Sequence, residues 1–496
     1  DEYLDKLRAA HVEADMGARK KILEERVANV AAELGGRILP DAELVDINNN
    51  LVEYPIPVAG KFDTEFLEVP DEVLINAMRE HQKYFAVVDR NNNLMPCFIA
   101  VNNTAARDLA LSATGHERVI RARLADAQFF YQGDLAVTND ERVEKLKKVL
   151  FQAELGTVFE KSERVARIAE ALAASTEEGD ELKRQVTRAA HLSKSDLVSQ
   201  VVGEFPKLQG VMGRIYATIA GEAADVAAAI EEHYRPVYSG APLPETLVGA
   251  IVSIADKMDS ICGCFSVGLI PTGASDPYAL RRQGIGIVQI MNAKGLTFSL
   301  RELIRCSLEQ YGEKGPSNLN ELLEKVYTFL QNRISHLLAE EGFSRDVIAA
   351  VTSVSVDDVP NVRNRVKALE SLKARPDFEP LAIGFKRVVN IIRKSGQARE
   401  VVAPEAVDAA LFEHDSEGAL LDTFKAVELK VSEAMASNAF DRALVEIASL
   451  KDAVDRFFDG VMVMAEDAAV RGNRLALLGN IAALFARFAD FSKLST

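Results

Sequence analysis

The chain has 496 residues, 48% of them hydrophobic and 27% charged, which is too long for one core and too apolar for a disordered or low-complexity protein; three or four domains are expected. A net charge of −16 excludes a protein that coats nucleic acid without selection, although a local basic surface is compatible with it. Four cysteines, Cys97, Cys262, Cys264 and Cys306, are too few for a disulfide framework and are expected as free thiols in a reducing cytoplasm, while the absence of a long unbroken apolar run or a signal peptide predicts no membrane association. Asp1, rather than Met, opens the sequence, so an N-terminal truncation is expected.

Leu23, Val27, Val30 and Leu34 recur at three- and four-residue spacing and predict helix through residues 1–34, ended by Gly35-Gly36. From Val52 to Asn103 the period changes to short β-rich pieces bounded by Pro55, Pro57, Gly60 and Pro70. HQKYFAVVD (81–89) and LMPCFIAVN (94–102) flank Asn91-Asn92-Asn93 and predict a hairpin. Its alternation puts His81, Lys83 and Phe85 on one face, where His81 and Lys83 suit an RNA backbone; an ordinary strand start is the competing reading. After about Ala105 strand signals largely stop. Helical periodicity then runs to the C-terminus, broken by loops at 175–180, 235–245, 268–277, 312–318, 353–361 and 395–404.

Known ATP-site signatures fail. His191-Leu192-Ser193-Lys194-Ser195 has the outline of a class I synthetase loop, but a His replaces the first Lys and no His-x-Gly-His lies upstream. The only Arg-x-Glu, Arg142-Val143-Glu144, sits in a charged helical run rather than a strand, and Gly284-Ile285-Gly286 lacks the Gly and Arg that should follow. No catalytic residue is therefore assigned. Residues 191–259 have the outline of an HD-type helical domain, with Asp196, His233 and Asp256 at the matching places. The His-Asp doublet that supplies adjacent ligands is missing there, and His414-Asp415 lies far along the chain. A metal site needs three or four converging ligands, so a degenerate scaffold without metal is expected.

In Pro271-Thr272-Gly273-Ala274-Ser275-Asp276-Pro277, Ser275 or Asp276 can cap a helix beginning near Pro277. Arg281-Arg282 follow at the wrong end of that helix dipole and need a partner, either a carboxylate of the chain or a phosphate. Residues 361–400 hold ten Lys/Arg against four Asp/Glu, a net of +6, including Lys386, Arg387, Arg393 and Lys394. The 455–494 block continues one apolar stripe through Ile481, Leu484, Phe485 and Phe488, with Arg471 and Arg474 beside it. Phosphate contacts are expected from these cations, with bridges to carboxylates such as Glu466 or Asp467 as the alternative for Arg471 and Arg474.

HQKYFAV (81–87), FFYQGD (129–134), KSDLVSQVVGEFPKLQGVMGRIYA (194–217), EEHYRP (231–236), ADKMD (255–259), PTGASDPYALRR (271–282), FKRVVNI (385–391) and the 455–494 block occur in one order. Together they resemble the β subunit of the bacterial two-subunit glycyl-tRNA synthetase over nearly the whole chain. The resemblance implies an α+β, mostly α fold. It divides into a small N-terminal α/β module like B3/B4 (1–140), a degenerate HD-like helical domain (141–300), a helical body or linker (301–380) and a C-terminal helical-bundle anticodon-binding domain (381–496). It implies an α2β2 ligase in which this chain binds tRNA(Gly), while ATP and Mg²⁺ act at the α subunit and no cofactor binds here. An editing role for the first module is not expected, since glycine leaves nothing smaller to reject. An HD-type metal-dependent phosphohydrolase and a non-enzymatic RNA-binding scaffold are the rival readings.

Overall fold

The computed structural model describes residues 2–104, 106–176, 178–312, 318–375, 378–394 and 407–495, with the backbone alone for 380, 381, 393 and 394. Two compact units emerge, each built from two pieces of chain: 1–163 with 185–234, and 164–184 with 235–496. No helix among the described residues is long and apolar enough to cross a membrane.

The first unit begins with α1 (Glu2–Ala9), α2 (Met16–Glu33), β1 (Arg37–Ile38), α3 (Ala42–Leu51), β2 (Ile56–Lys61) and α4 (Asp71–Gln82). It continues through β3 (Phe85–Val88), β4 (Leu94–Asn102), α5 (Leu109–Leu135), α6 (Asn139–Lys145), β5 (Leu150–Gln152), β6 (Gly156–Thr157) and the start of α7 (Val158–Ala174). The latter part of α8 (Gly179–Leu192), α9 (Gln200–Glu204), α10 (Val211–Ile219) and α11 (Ala224–Glu232) complete it. An antiparallel sheet, ordered β1-β3-β4-β2, lies between two helical layers. Phe85, Val87, Cys97 and Ile99 pack on Leu23, Val27, Ala31 and Leu44 of α2 and α3. Ala86, Leu94, Phe98 and Ala100 face Leu74, Met78, Ile120 and Leu124 of α4 and α5. Because successive strand side chains alternate faces, a sheet covered on both sides has every position of β3 buried.

Three expectations change here. The first helix is two, parted at residues 10–15, where His11 has a positive φ of 59°. The hairpin exists, with Phe85 opposite Ile99, but His81 and Lys83 do not lie on its edge. The stripe Val73, Leu74, Ala77 and Met78 carries α4 through His81, and the chain reverses at Lys83 in the left-handed region (φ 59°) before β3 starts. Finally, β5 and β6 form a small two-stranded ribbon beyond residue 105, too short to leave a period in the sequence.

The second unit holds the remaining turns of α7 and the start of α8, then α12 (Leu247–Ser266), α13 (Leu280–Lys294), α14 (Leu300–Glu309), α15 (Leu319–Glu340), α16 (Arg345–Thr352) and α17 (Val359–Lys373). The C-terminal bundle follows: α18 (Phe378–Lys394), α19 (Asp415–Ala436), α20 (Phe440–Ser449), α21 (Lys451–Gly460) and α22 (Ala468–Ala486). A buried ion pair ties α7 to α12: Arg164 Nε lies 2.7 Å from Asp259 Oδ1, and the Tyr311 hydroxyl donates to the same oxygen at 3.0 Å. Phe385 of α18 meets Phe485 at 4.5 Å and Phe491 at 4.9 Å between ring centres, so these rings of the C-terminal stripe are core. All four cysteines are free.

Candidate nucleic-acid interface

The string 194–217, dense in polar residues yet buried over much of its length, is held by two carboxylates. Asp134, at the end of α5, accepts the N–H groups of Gln200 (2.9 Å) and Val201 (3.0 Å) and the Tyr216 hydroxyl (2.8 Å). Asp196, fully buried, accepts the N–H groups of Gly210 (2.6 Å) and Gly213 (3.0 Å) through Oδ2. Its Oδ1 meets no donor among the described residues. Burial pushes this carboxyl up to about 6, against the pull of the two glycine N–H groups and of Lys194.

His233 is equally buried, with Nδ1 2.7 Å from the Ile230 carbonyl and Nε2 2.7 Å from Lys194 Nζ. Carbonyl acceptance makes Nδ1 the protonated nitrogen, so Nε2 accepts from the ammonium. The same ammonium sits 4.1 Å from the Tyr234 ring centre. Asp256 belongs to α12 of the second unit, whereas Asp196 and His233 belong to the first. Among the described residues no group of three or more His, Cys, Asp or Glu side chains is placed to hold a metal ion. The other doublet, His414-Asp415, serves α19: His414 is its N-cap, and its own N–H donates to Glu417 at 2.9 Å.

The cations expected to bind phosphate differ in how far the fold already engages them. His81 is half-buried, 3.7 Å from a Glu204 carboxylate oxygen and 5.3 Å from the Phe205 ring. Lys83 donates to the Glu80 carbonyl at 2.8 Å. On α13, the Asp276 carboxylate caps the helix by accepting the N–H groups of Leu280 (2.8 Å) and Arg281 (3.0 Å), three residues later than the start expected near Pro277. Arg282 is exposed and donates to the Val237 carbonyl at 3.4 Å.

The basic island is partly consumed by the fold. Arg365 is buried and donates to the carbonyls of Phe488 (3.1 Å) and Ser355 (2.8 Å). Arg363 pairs with Glu341 and Lys373 with Asp346, both at 2.8 Å. Lys386 is half-buried on α18 beside the exposed Arg387, whose guanidinium lies 4.1 Å over the Phe458 ring. The side chains of Arg393 and Lys394 lie outside the described residues.

Arg471 donates to the carbonyls of Ala465 (2.8 Å) and Glu466 (3.2 Å). Arg474 does not belong on an RNA-facing surface. It is 5% exposed, with Nε 2.8 Å from Glu417, one Nη 2.9 Å from Glu413 and the other 3.1 Å from the Met462 carbonyl. The bridge to acids expected as its alternative is present, but with acids of α19 and the segment before it instead of Glu466 or Asp467. Burial tends to raise the Glu417 carboxyl, yet Arg474 and the N–H groups of Glu413 and His414 hold it below the usual range.

The C-terminal bundle, with basic residues on its first helix, defines a class: residues 382–490 match the DALR anticodon binding domain, a module of tRNA-handling proteins. Residues 1–353 match the model of the glycyl-tRNA synthetase beta subunit. The chain is 54% identical over 495 residues to the "Glycine--tRNA ligase beta subunit" of Desulfatibacillum aliphaticivorans, covering 100% of this chain and 71% of that relative. It is 54% identical to the protein of the same name from Desulforapulum autotrophicum and 48% identical to that from Geotalea uraniireducens, covering 71% and 70% of those chains. The chain belongs to the glycyl-tRNA synthetase β-subunit family.

Proposed function

We propose that this chain is the tRNA-binding subunit of a two-subunit glycine–tRNA ligase, working in the cytoplasm with an α subunit in an α2β2 assembly. The observation that carries the reading is the bundle α18–α22, matched to an anticodon-binding module and continuous with a chain matched to the β subunit. In this reading ATP and Mg²⁺ act at the α subunit, which joins glycine to AMP and then to tRNA(Gly), and this chain positions the RNA. Residues 1–140 act as a B3/B4-like module, 141–300 as a degenerate HD-like domain, 301–380 as the body and 381–496 as the anticodon-binding domain. His81, Lys83, Arg281, Arg282, Lys386, Arg387 and Arg471 supply backbone contacts, and Asp196 and His233 serve the fold.

The test is reconstitution. Mixed with a glycyl-tRNA synthetase α subunit, the chain should restore glycine attachment to tRNA(Gly), and it should bind that tRNA in a salt-sensitive manner by itself. A chain that neither binds tRNA nor supports aminoacylation with the α subunit would overturn the proposal.

A further inference from the structure

The loop 268–277 enters α13 through strained backbone. Thr272 and Ser275 pair across its turn, and Ala279 takes the left-handed conformation at φ 53° and ψ 36°. The Asp276 carboxylate is spent on two backbone N–H groups, and neither Arg281 nor Arg333 has an ion-pair partner among the described residues. Arg333, on α15, lays its stem across Gly284 of α13: a Cβ at Gly284 would stand 3.2 Å from Arg333 Cγ and 3.2 Å from Phe329 Cε1. The Arg333 guanidinium lies 5.5 Å from the Phe329 ring centre, and its Nε is buried with no acceptor. Burial, and then the charge of Arg281, lower the pKa of Arg333, while the charge of Asp276 acts more weakly in the other direction. Asp276 offsets part of that repulsion, but the buried Nε still has no acceptor, which is unfavourable until one arrives.

We propose that Arg281 and Arg333, with Arg282 beside them, form a clamp for a backbone phosphate in an unpaired stretch of RNA. Guanidinium forks match phosphate oxygens in pairs. Arg282 holds the Val237 carbonyl, so the next residue, Tyr238, 61% exposed, stands at the same edge as a surface for a base to stack on. An aromatic next to unpaired arginines favours nucleic acid over a protein carboxylate. The inference rests on the tRNA-binding reading and names where one part of that RNA sits. Arg333 left no signal in the sequence, where it reads as one polar position of an amphipathic helix.

The experiment measures binding of tRNA(Gly) and of an unpaired oligonucleotide to the full chain across a salt series, with thermal melts alongside. Arg281→Gln and Arg333→Gln should each weaken binding about tenfold and flatten the log–log salt dependence by about 0.7–0.9. The RNA-free melting temperature should hold or rise, because a like-charge contact is relieved. Arg333→Lys should keep the slope and lose part of the affinity, since a point charge replaces the fork. If Arg333→Gln fails to fold, Arg281→Gln decides alone. Wild-type affinity and slope in a folded Arg281→Gln chain would overturn the clamp while leaving the proposed function standing; no tRNA binding by the wild-type chain would overturn both. Weakened binding of the α subunit with RNA affinity unchanged would also overturn it, assigning the arginines to a protein carboxylate.

Discussion

The Arg474 guanidinium, clasped by Glu413 and Glu417, cannot be removed without stranding a Glu417 side chain that is only 1% exposed. Arg474→Ala should therefore cost about 3–5 kcal/mol of stability, read by denaturant titration, while tRNA affinity measured below the melting transition stays at the wild-type value. Asp196 works in the opposite sense. Its folded-state pKa is raised to about 6, above that of the unfolded chain, so the folded state binds the extra proton; its contribution is fully present below about pH 4 and is lost as pH rises through about 6. The stability of wild type relative to Asp196→Asn should fall by about 2–3 kcal/mol between pH 4 and pH 7. A flat difference across that range would show that the carboxylate is not held neutral. What the sequence conveys about these residues is uneven. Asp276 was legible as a cap because its partners are four and five residues away, whereas the Arg474 partner Glu417 is 57 residues distant, and no local pattern records such a pair. Arg365 and Lys373 read as members of a basic island for the same reason, until the fold supplies their acceptors.

Among the elements, α10 and α11 touch where a glycine permits it. A Cβ on Gly213 would stand 2.5 Å from Ile230 Cγ2 and 3.3 Å from the Asp196 carboxyl carbon. Gly213→Ala should cost about 1–3 kcal/mol and loosen the loop that Asp196 fastens, seen as faster amide exchange at Gly210 and Gly213. At α13 the strain at Ala279 can be relieved instead: Ala279→Gly removes the Cβ clash and should stabilise the chain by about 1 kcal/mol, with thermal melting as the check. Element type was legible wherever the period was long, as in α2, or where a turn was explicit, as at Asn91-Asn92-Asn93, where Asn92 takes φ 69°. It failed at the junction of α4 and β3, where aromatic and β-branched residues follow a helix directly and only a left-handed Lys83 divides them.

For the whole molecule, the proposed division of labour predicts that glycine-dependent exchange of pyrophosphate into ATP stays at background for this chain, with or without tRNA, and appears when the α subunit is added. Exchange by the chain alone would refute that division. The two compact units carry a further consequence. The chain passes between them three times, after Glu163, Arg184 and Tyr234, and the first two crossings fall inside α7 and α8. During synthesis the first unit cannot close until residue 234 has left the ribosome, because α10 and α11 supply part of its core. The segment 164–184, made earlier, must then wait for partners such as Asp259, encoded later. No single cut by a protease can release the second unit whole, and the first comes whole only with 164–184 attached, so a ribosome that halts between residues 164 and 234 leaves an unfinished core exposed for quality control to find.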